Sequence, residues 1–295
     1  MKKTVFKGSG VAIITPMHAD GSVNFPVLQD LLELQIENST DAIIICGTTG
    51  EASAMDDHEH LDVIEFAVNT VNHRLPVVAG TGSNDTRHAI NLSKEAKNRG
   101  ADALLQVTPY YNKTSQTGLV RHFNAIVDAA GLPTILYNVP SRTGMAITPQ
   151  TYQKLAEHPL IVATKEASGN ISAIAKTAAL CGDSLAIYSG NDDQIVPLLS
   201  LGGIGVISVL ANVAPQQTHD ICALYFSGKT KESLALQLQM LPLIDALFSD
   251  VNPIPVKAAM NLLGFAAGDC RMPLDVLSAE KTADLRRMLT QAQLL

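Results

Sequence analysis

Short runs of apolar residues recur along the chain as far as residue 208, and more polar segments separate them. The runs are rich in β-branched residues and begin 20 to 34 residues apart, which suits one strand followed by a crossover helix. Continuous apolar runs are typical of strands that are buried on both faces of a parallel sheet. The pattern predicts eight strands, at residues 11–15, 42–46, 76–79, 103–107, 134–137, 161–164, 185–188 and 205–208.

The segments between these runs have the periodicity and the end signals of helices. Asp56 and Glu59 form a capping-box-like start ahead of an apolar stripe, and prolines stand near several other helix starts. Glycines follow four amphipathic segments at the place of a C-terminal cap; they are Gly100, Gly131, Gly182 and Gly228. Eight strand-helix units in series predict a (β/α)8 TIM barrel, with an open doubly wound sheet as the alternative.

After the eighth unit the pattern becomes purely helical. Periodic segments at residues 231–248, 255–263 and 278–294 predict three helices, and the breaker at residues 250–253 separates the first two. We therefore divide the chain into a barrel catalytic domain, residues 1–225, and a C-terminal helical extension, residues 226–295.

Composition and charge narrow the class of partner. The chain has 295 residues, of which 46% are hydrophobic, and a formal net charge of -7. This composition excludes intrinsic disorder, and the acidity gives no electrostatic reason to bind nucleic acid or an anionic membrane. No stretch is long and apolar enough for a membrane span or an export signal. Four scattered cysteines without a C-x-x-C pair suit reduced thiols. We expect a cytoplasmic protein that acts on a small molecule.

The candidate chemistry lies just after the apolar runs, because active sites of barrels lie at the carboxyl ends of the strands. Lys165 directly follows the sixth run. A low-dielectric barrel mouth lowers the pKa of a lysine and leaves a nucleophilic amine, as Schiff-base chemistry requires. The alternative is a lysine that pairs with Glu166 or reaches solvent.

Three further features have both a functional and a structural interpretation. The glycines and hydroxyls of residues 47–50 could form a cradle for a small carboxylate, or only a tight loop. Tyr137 could transfer protons or merely satisfy a buried hydroxyl, and Arg142 could clamp a carboxylate or be a surface charge. His58 and His60 are two residues apart on a helix and so do not fit a zinc site. The chain carries no complete phosphate-binding glycine motif.

Seven motifs, in order over nearly the whole chain, resemble the dihydrodipicolinate synthase family of Schiff-base pyruvate aldolases. They are GTTGE at 47–51, TPYYNK at 108–113, YNVPSRTG at 137–144, TKEASG at 164–169, SGND at 189–192, GVISV at 205–209 and NPIPVK at 252–257. The resemblance implies condensation of pyruvate with L-aspartate 4-semialdehyde to 4-hydroxy-tetrahydrodipicolinate, in lysine (diaminopimelate) biosynthesis. It also implies a homotetramer, a dimer of dimers.

The resemblance assigns a role to each candidate residue. Lys165 would form the imine with pyruvate, so that no metal and no separate cofactor is needed. Tyr137 would donate and accept protons, linked through Thr48 to Tyr111 of a neighbouring subunit.

The same resemblance assigns the residues that hold the two substrates. Thr49 and the backbone at Gly190 and Ile207 would hold the pyruvate moiety. Arg142 would bind the carboxylate of the semialdehyde.

Two alternative functions remain open from the sequence. Sialic-acid lyase and keto-deoxy sugar-acid aldolases share the lysine and the tyrosine, but they generally lack the arginine that stands here at position 142. A non-catalytic barrel that binds a carboxylate is the alternative from a different class.

One departure from the family concerns feedback inhibition by lysine. Asp57 replaces a usual histidine, and His88 replaces the glutamate that receives the amino group of lysine, whereas His60, Asn84 and Tyr110 fit the pattern. We expect weak or absent inhibition by lysine.

Overall fold

Eight parallel strands close into a barrel in the computed structural model, which describes residues 2–295. Each strand pairs with the next along the chain, and β8 pairs with β1 from Gly8 opposite Gly205 to Val11 opposite Ser208. The strands are β1 Gly8–Ala12, β2 Ala42–Ile45, β3 Val77–Gly80, β4 Ala103–Val107, β5 Thr134–Asn138, β6 Ile161–Glu166, β7 Ala186–Ser189 and β8 Gly205–Ser208. The closed order confirms the predicted (β/α)8 barrel and contradicts the open doubly wound sheet.

Helices follow the strands and continue beyond the barrel. The side chain of Asp56 accepts a hydrogen bond from the backbone N–H of Glu59 and caps the second helix, as predicted. The helices are α1 Phe25–Glu37, α2 Asp57–Val71, α3 Thr86–Asn98, α4 Gln116–Ala130, α5 Pro140–Thr143, α6 Pro149–Leu155, α7 Ile171–Cys181, α8 Ile195–Ser200, α9 Pro215–Phe226, α10 Thr230–Leu247, α11 Ile254–Leu262 and α12 Ala279–Gln291. The last three confirm the predicted helical extension.

The predicted bounds of the first strand are wrong by three residues at each end. β1 begins at Gly8, where the sequence pattern placed no apolar run. A Cβ atom at Gly10 would lie 2.7 Å from the ring of Phe6 and 2.6 Å from Ile44. The small residues therefore make room for a buried aromatic ring inside the barrel, and a count of apolar side chains does not detect them.

The C-terminal extension packs against the barrel helices through a shared apolar core. Met240, Leu243 and Leu247 of α10 belong to the same buried cluster as Leu28 of α1 and Val209 after β8. α10 lies against α9 and α12. The division of the chain at residues 225 and 226 stays a prediction.

All four cysteines are free thiols, and Cys46, Cys181 and Cys222 are buried. Of the helices within residues 2–295, none is both long and apolar enough to cross a membrane.

Candidate active site

Lys165 lies on the inner wall of the barrel. The backbone register places it between Tyr137 of β5 and Tyr188 of β7, and its Nζ lies 4.4 Å from the centroid of the Tyr137 ring. Only 6% of the residue is exposed. Burial, opposed by the charge of Asp192 and aided by that of Arg142, lowers the pKa of Lys165 to about 8.

Glu166 points to the other face of β6, so the alternative in which it pairs with Lys165 is wrong. Its carboxylate accepts hydrogen bonds from the Tyr152 hydroxyl at 2.6 Å, from Asn138 Nδ2 at 3.0 Å and from Ser168 Oγ at 2.8 Å. Successive residues of a strand alternate between the two faces, which explains the separation. Among the described residues, no side chain forms an ion pair with Lys165.

The predicted start of the sixth strand is confirmed, but its predicted end is wrong by two residues. The apolar run ends at Thr164, but β6 continues through Lys165 to Glu166 because β5 and β7 pair with both residues. The reactive candidate is therefore held inside the sheet and not on a loop beyond it.

Tyr137 is buried beside the lysine, and only 7% of it is exposed. Burial raises its pKa, whereas the charge of Arg142 and a hydrogen bond with Thr48 lower the pKa in part. Thr48 itself is exposed at the mouth of the barrel. Tyr137 and Thr48 thus lie next to each other, and their role as a proton-transfer pair stays a prediction.

Thr49 and Arg142 share a partner that the sequence reasoning did not single out. Asn252, in the breaker between α10 and α11, donates through Nδ2 to Thr49 Oγ1 at 3.0 Å. Its backbone carbonyl accepts from Arg142 Nη2 at 3.1 Å. Its signal in the sequence is the NPIPVK motif at residues 252–257, to which the sequence pattern assigns no role in the site.

Gly190 and Ile207 complete the surroundings of Lys165. A Cβ at Gly190 would lie 3.1 Å from Lys165 Cγ and 2.8 Å from Ala167 Cβ, so glycine permits the close approach. Ile207 is fully buried in the same inner cluster as Tyr137 and Tyr188.

Tyr111 is the one candidate that does not join the others within a single chain. It is 92% exposed, and its φ of 68° lies in the left-handed region that non-glycine residues rarely adopt. An aromatic ring held outward in this way cannot contact Tyr137 of its own barrel without a rearrangement.

One cavity of about 490 Å³ opens at this end of the barrel, and Thr48, Tyr137 and Arg142 line it. The same cavity reaches His60, Asp57 and His88. His88 Nε2 lies 2.8 Å from Asp57 Oδ1, and its Nδ1 lies 3.0 Å from Ser83 Oγ.

The two histidines of the His58-Glu59-His60 segment serve separate structural contacts. His58 is exposed and pairs with Asp62 on the next helical turn, whereas the buried His60 binds the carbonyl of Gly80 at 2.8 Å. Residues 2–295 contain no group of three or more histidine, cysteine, aspartate or glutamate side chains arranged to hold a metal ion.

Comparison with known proteins agrees with this geometry. The model of the dihydrodipicolinate synthetase family matches residues 5–292. A relative from Clostridium perfringens (strain ATCC 13124), named 4-hydroxy-tetrahydrodipicolinate synthase, is 60% identical over 270 residues, 92% of each chain. One from Caldicellulosiruptor saccharolyticus with the same name is 56% identical over 97% of this chain and 96% of its own.

A solved structure supports the same relationship. The chloride-inhibited dihydrodipicolinate synthase from Acinetobacter baumannii, complexed with pyruvate, superposes with a TM-score of 0.97 at 42% identity, covering 99% of this chain and 100% of that one. The chain therefore belongs to the dihydrodipicolinate synthetase family.

Proposed function

We propose that this enzyme condenses pyruvate with L-aspartate 4-semialdehyde through a Schiff base on Lys165, giving 4-hydroxy-tetrahydrodipicolinate for lysine (diaminopimelate) biosynthesis in the cytoplasm. The observation that carries the proposal is the buried Lys165 amine beside Tyr137, outside any ion pair of the described residues and with a pKa lowered to about 8. Such an amine has the nucleophilicity that imine formation needs at neutral pH.

The first half of the reaction activates pyruvate. The Lys165 nitrogen attacks the ketone carbon, and loss of water leaves a protonated imine. The imine withdraws electrons from the methyl carbon, so that a proton leaves and an enamine forms. This covalent electron sink replaces a coenzyme, and Tyr137 is placed to carry protons to and from the intermediates.

The second half joins the two substrates. The enamine carbon attacks the aldehyde carbon of the semialdehyde and restores the imine, while the aldehyde oxygen takes a proton. The amino group of the semialdehyde then attacks the imine carbon, closes the ring and releases Lys165. Arg142, exposed at the mouth and anchored on Asn252 O, binds the carboxylate of the semialdehyde, and Thr49 with the backbone at Gly190 and Ile207 holds the pyruvate moiety.

The proposal extends to a second copy of the chain. Tyr111 is nearly fully exposed here, and we assign it to the cavity of a neighbouring subunit, where it completes the relay through Thr48 to Tyr137. The assembly we propose is a homotetramer built from two such dimers. One solved neighbour is described as a monomeric variant of dihydrodipicolinate synthase, so the assembly has to be measured for this chain.

The decisive experiment is reductive trapping. Pyruvate and borohydride should leave an adduct on Lys165, located by mass spectrometry of peptides. Lys257 is an internal control, because it is also buried but forms an ion pair with Glu51. An unmodified Lys165 would refute the enzymatic proposal and favour the non-catalytic barrel. An adduct without product from L-aspartate 4-semialdehyde would instead indicate another pyruvate aldolase.

Inhibition by lysine should be weak or absent. Asp57 and His88 bind each other, so an incoming ammonium group would meet an imidazole where the family glutamate stands. A lysine titration of initial rates tests this, and half-inhibition below about 1 mM would contradict it.

A further inference from the structure

We propose that Lys257, on α11 of the C-terminal extension, is a positioning residue for catalysis. Its ammonium group holds the carboxylate of Glu51, and Glu51 in turn fixes the loop of residues 47–51 that carries Thr48 and Thr49. The kinetic part of this inference rests on the proposed function, but its structural part does not.

The loop has a conformation that needs support from outside. Cys46 at φ 54° and Glu51 at φ 56° stand at its two ends in the left-handed region, which non-glycine residues adopt at a cost. Two backbone hydrogen bonds of 3.1 Å, Gly50 N–H to Gly47 O and Glu51 N–H to Thr48 O, close the turn between them. Such a turn keeps its shape only when its surroundings hold the strained residues in place.

The extension supplies the contacts of the Glu51 carboxylate. Oε1 accepts from Lys257 Nζ at 2.7 Å, and Oε2 accepts from the backbone N–H of Arg271 at 2.8 Å. Lys257 Nζ donates a second bond to Asp269 O at 2.8 Å. Both charged side chains are about 1% exposed, so removing either one leaves an uncompensated buried charge.

Lys257 acts through the loop and not on the substrates. Its Nζ is already engaged by Glu51 Oε1 and by Asp269 O, and only about 1% of its side chain is exposed, whereas Thr48 on the loop lines the cavity. The Asn252 contacts with Thr49 and Arg142 start from the same extension, five residues before Lys257. The extension therefore contacts the site at two points. One is Asn252, and the other is the ion pair of Lys257 with Glu51.

The test compares Lys257→Met and Glu51→Gln with the wild-type enzyme. Arg287→Met is the control, because Arg287 forms an exposed ion pair with Asp284 on α12 of the same extension. Hydrogen exchange of a peptide covering residues 46–55 reports on the loop without any substrate, and urea unfolding reports on global stability. Steady-state kinetics gives kcat and the KM of each substrate.

We expect both variants to exchange the loop amides at least about tenfold faster than the wild type, at a urea concentration where the rest of the barrel stays protected. We expect kcat/KM for pyruvate to fall by about tenfold or more, while Arg287→Met changes neither quantity. Lys257→Arg keeps the positive charge. It should therefore lose less of the loop's amide protection and less of kcat/KM for pyruvate than Lys257→Met.

Unchanged loop exchange in folded Lys257→Met and Glu51→Gln would overturn the inference, as would a loss of protection spread evenly over the whole barrel. If Lys257→Met does not fold, Glu51→Gln decides, because it preserves the side-chain volume. A wild-type enzyme without a pyruvate adduct would refute the proposed function alone and leave the exchange experiment valid.

Discussion

Two buried lysines in this chain show how surroundings decide the chemistry of one residue type. Lys257 Nζ forms an ion pair with Glu51 at 2.7 Å, whereas Lys165 Nζ lies over the ring of Tyr137. With a pKa of about 8, roughly one in ten Lys165 side chains is a neutral amine at pH 7. An exposed lysine would be neutral in fewer than about one in a thousand molecules.

Replacement of Asp192 by asparagine should lower the pKa of Lys165 further. The negative charge of Asp192 raises that pKa, and the amide keeps an oxygen that can accept from the backbone N–H groups of Val209 and Leu210. The neutral fraction of the amine grows as pH passes upward through its pKa, so the midpoint of borohydride-trapped adduct formation against pH should move to lower pH. A midpoint that is unchanged or moves upward would contradict the electrostatic coupling.

Tyr137→Phe should reduce turnover by about 10²- to 10⁴-fold, the usual contribution of a positioned proton-transfer group. Tyr188→Phe is the matched control, because Tyr188 is also buried next to Lys165 in the sheet but donates its hydroxyl to Phe6 O. We expect Tyr188→Phe to cost about 1–3 kcal/mol of stability through the unpaired carbonyl, with turnover within about threefold of the wild type. Equal losses of turnover in Tyr137→Phe and Tyr188→Phe would contradict the assignment of Tyr137 as the proton-transfer group.

At the scale of elements, the ends of neighbouring strands approach so closely that glycine is required. The end of β3 contacts the turn after β2: a Cβ at Gly80 would lie 2.2 Å from the backbone oxygen of Cys46. At Gly47, in contrast, the nearest atom to an added Cβ is 4.0 Å away. An added side chain should therefore be tolerated at Gly47 but not at Gly80.

Gly80→Ala should destabilise the fold by about 1–3 kcal/mol or more, because backbone atoms cannot move aside as a flexible side chain would. Gly47→Ala should change the free energy of unfolding by less than about 1 kcal/mol. Urea unfolding monitored by circular dichroism measures both. The idea is wrong if the two variants unfold at the same midpoint.

At the scale of the whole molecule, the barrel and the extension both contribute residues to the site, and our proposal assigns Tyr111 to the site of a second copy. The breaker at residues 250–253 reaches Thr49 and Arg142 from the far end of the sequence. Tyr111 contributes nothing to its own cavity at 92% exposure. The proton relay that we propose therefore requires a second copy of the chain.

Complementation between two impaired variants tests whether two subunits share the proton relay. Lys165→Ala lacks the nucleophile, and Tyr111→Phe should lose at least about tenfold in turnover without the relay hydroxyl. Dissociated and reassociated in equal amounts, they should recover roughly a quarter of wild-type activity, because about half of the dimers are mixed and each mixed dimer has one intact site. Activity of Tyr111→Phe within about threefold of the wild type, or no recovery on mixing, would refute the shared relay.

The sequence by itself determined the barrel, because eight buried strands need continuous apolar runs and each crossover helix carries its own periodicity and caps. It also determined which side chains stand at strand ends, where the chemistry of a barrel lies. The apolar pattern did not predict the start of β1 at Gly8. This part of the strand is made of small residues, and Gly10 leaves space for the ring of Phe6 instead of contributing apolar surface. Only the tertiary structure decided that β6 continues to Glu166, so that Glu166 and Lys165 point to opposite faces, and that Lys257 and Asn252 reach the loop of residues 47–51. The contact between Lys257 and Glu51 joins residues 206 positions apart. The local pattern of apolar and polar residues does not predict which distant segments will meet in the folded chain.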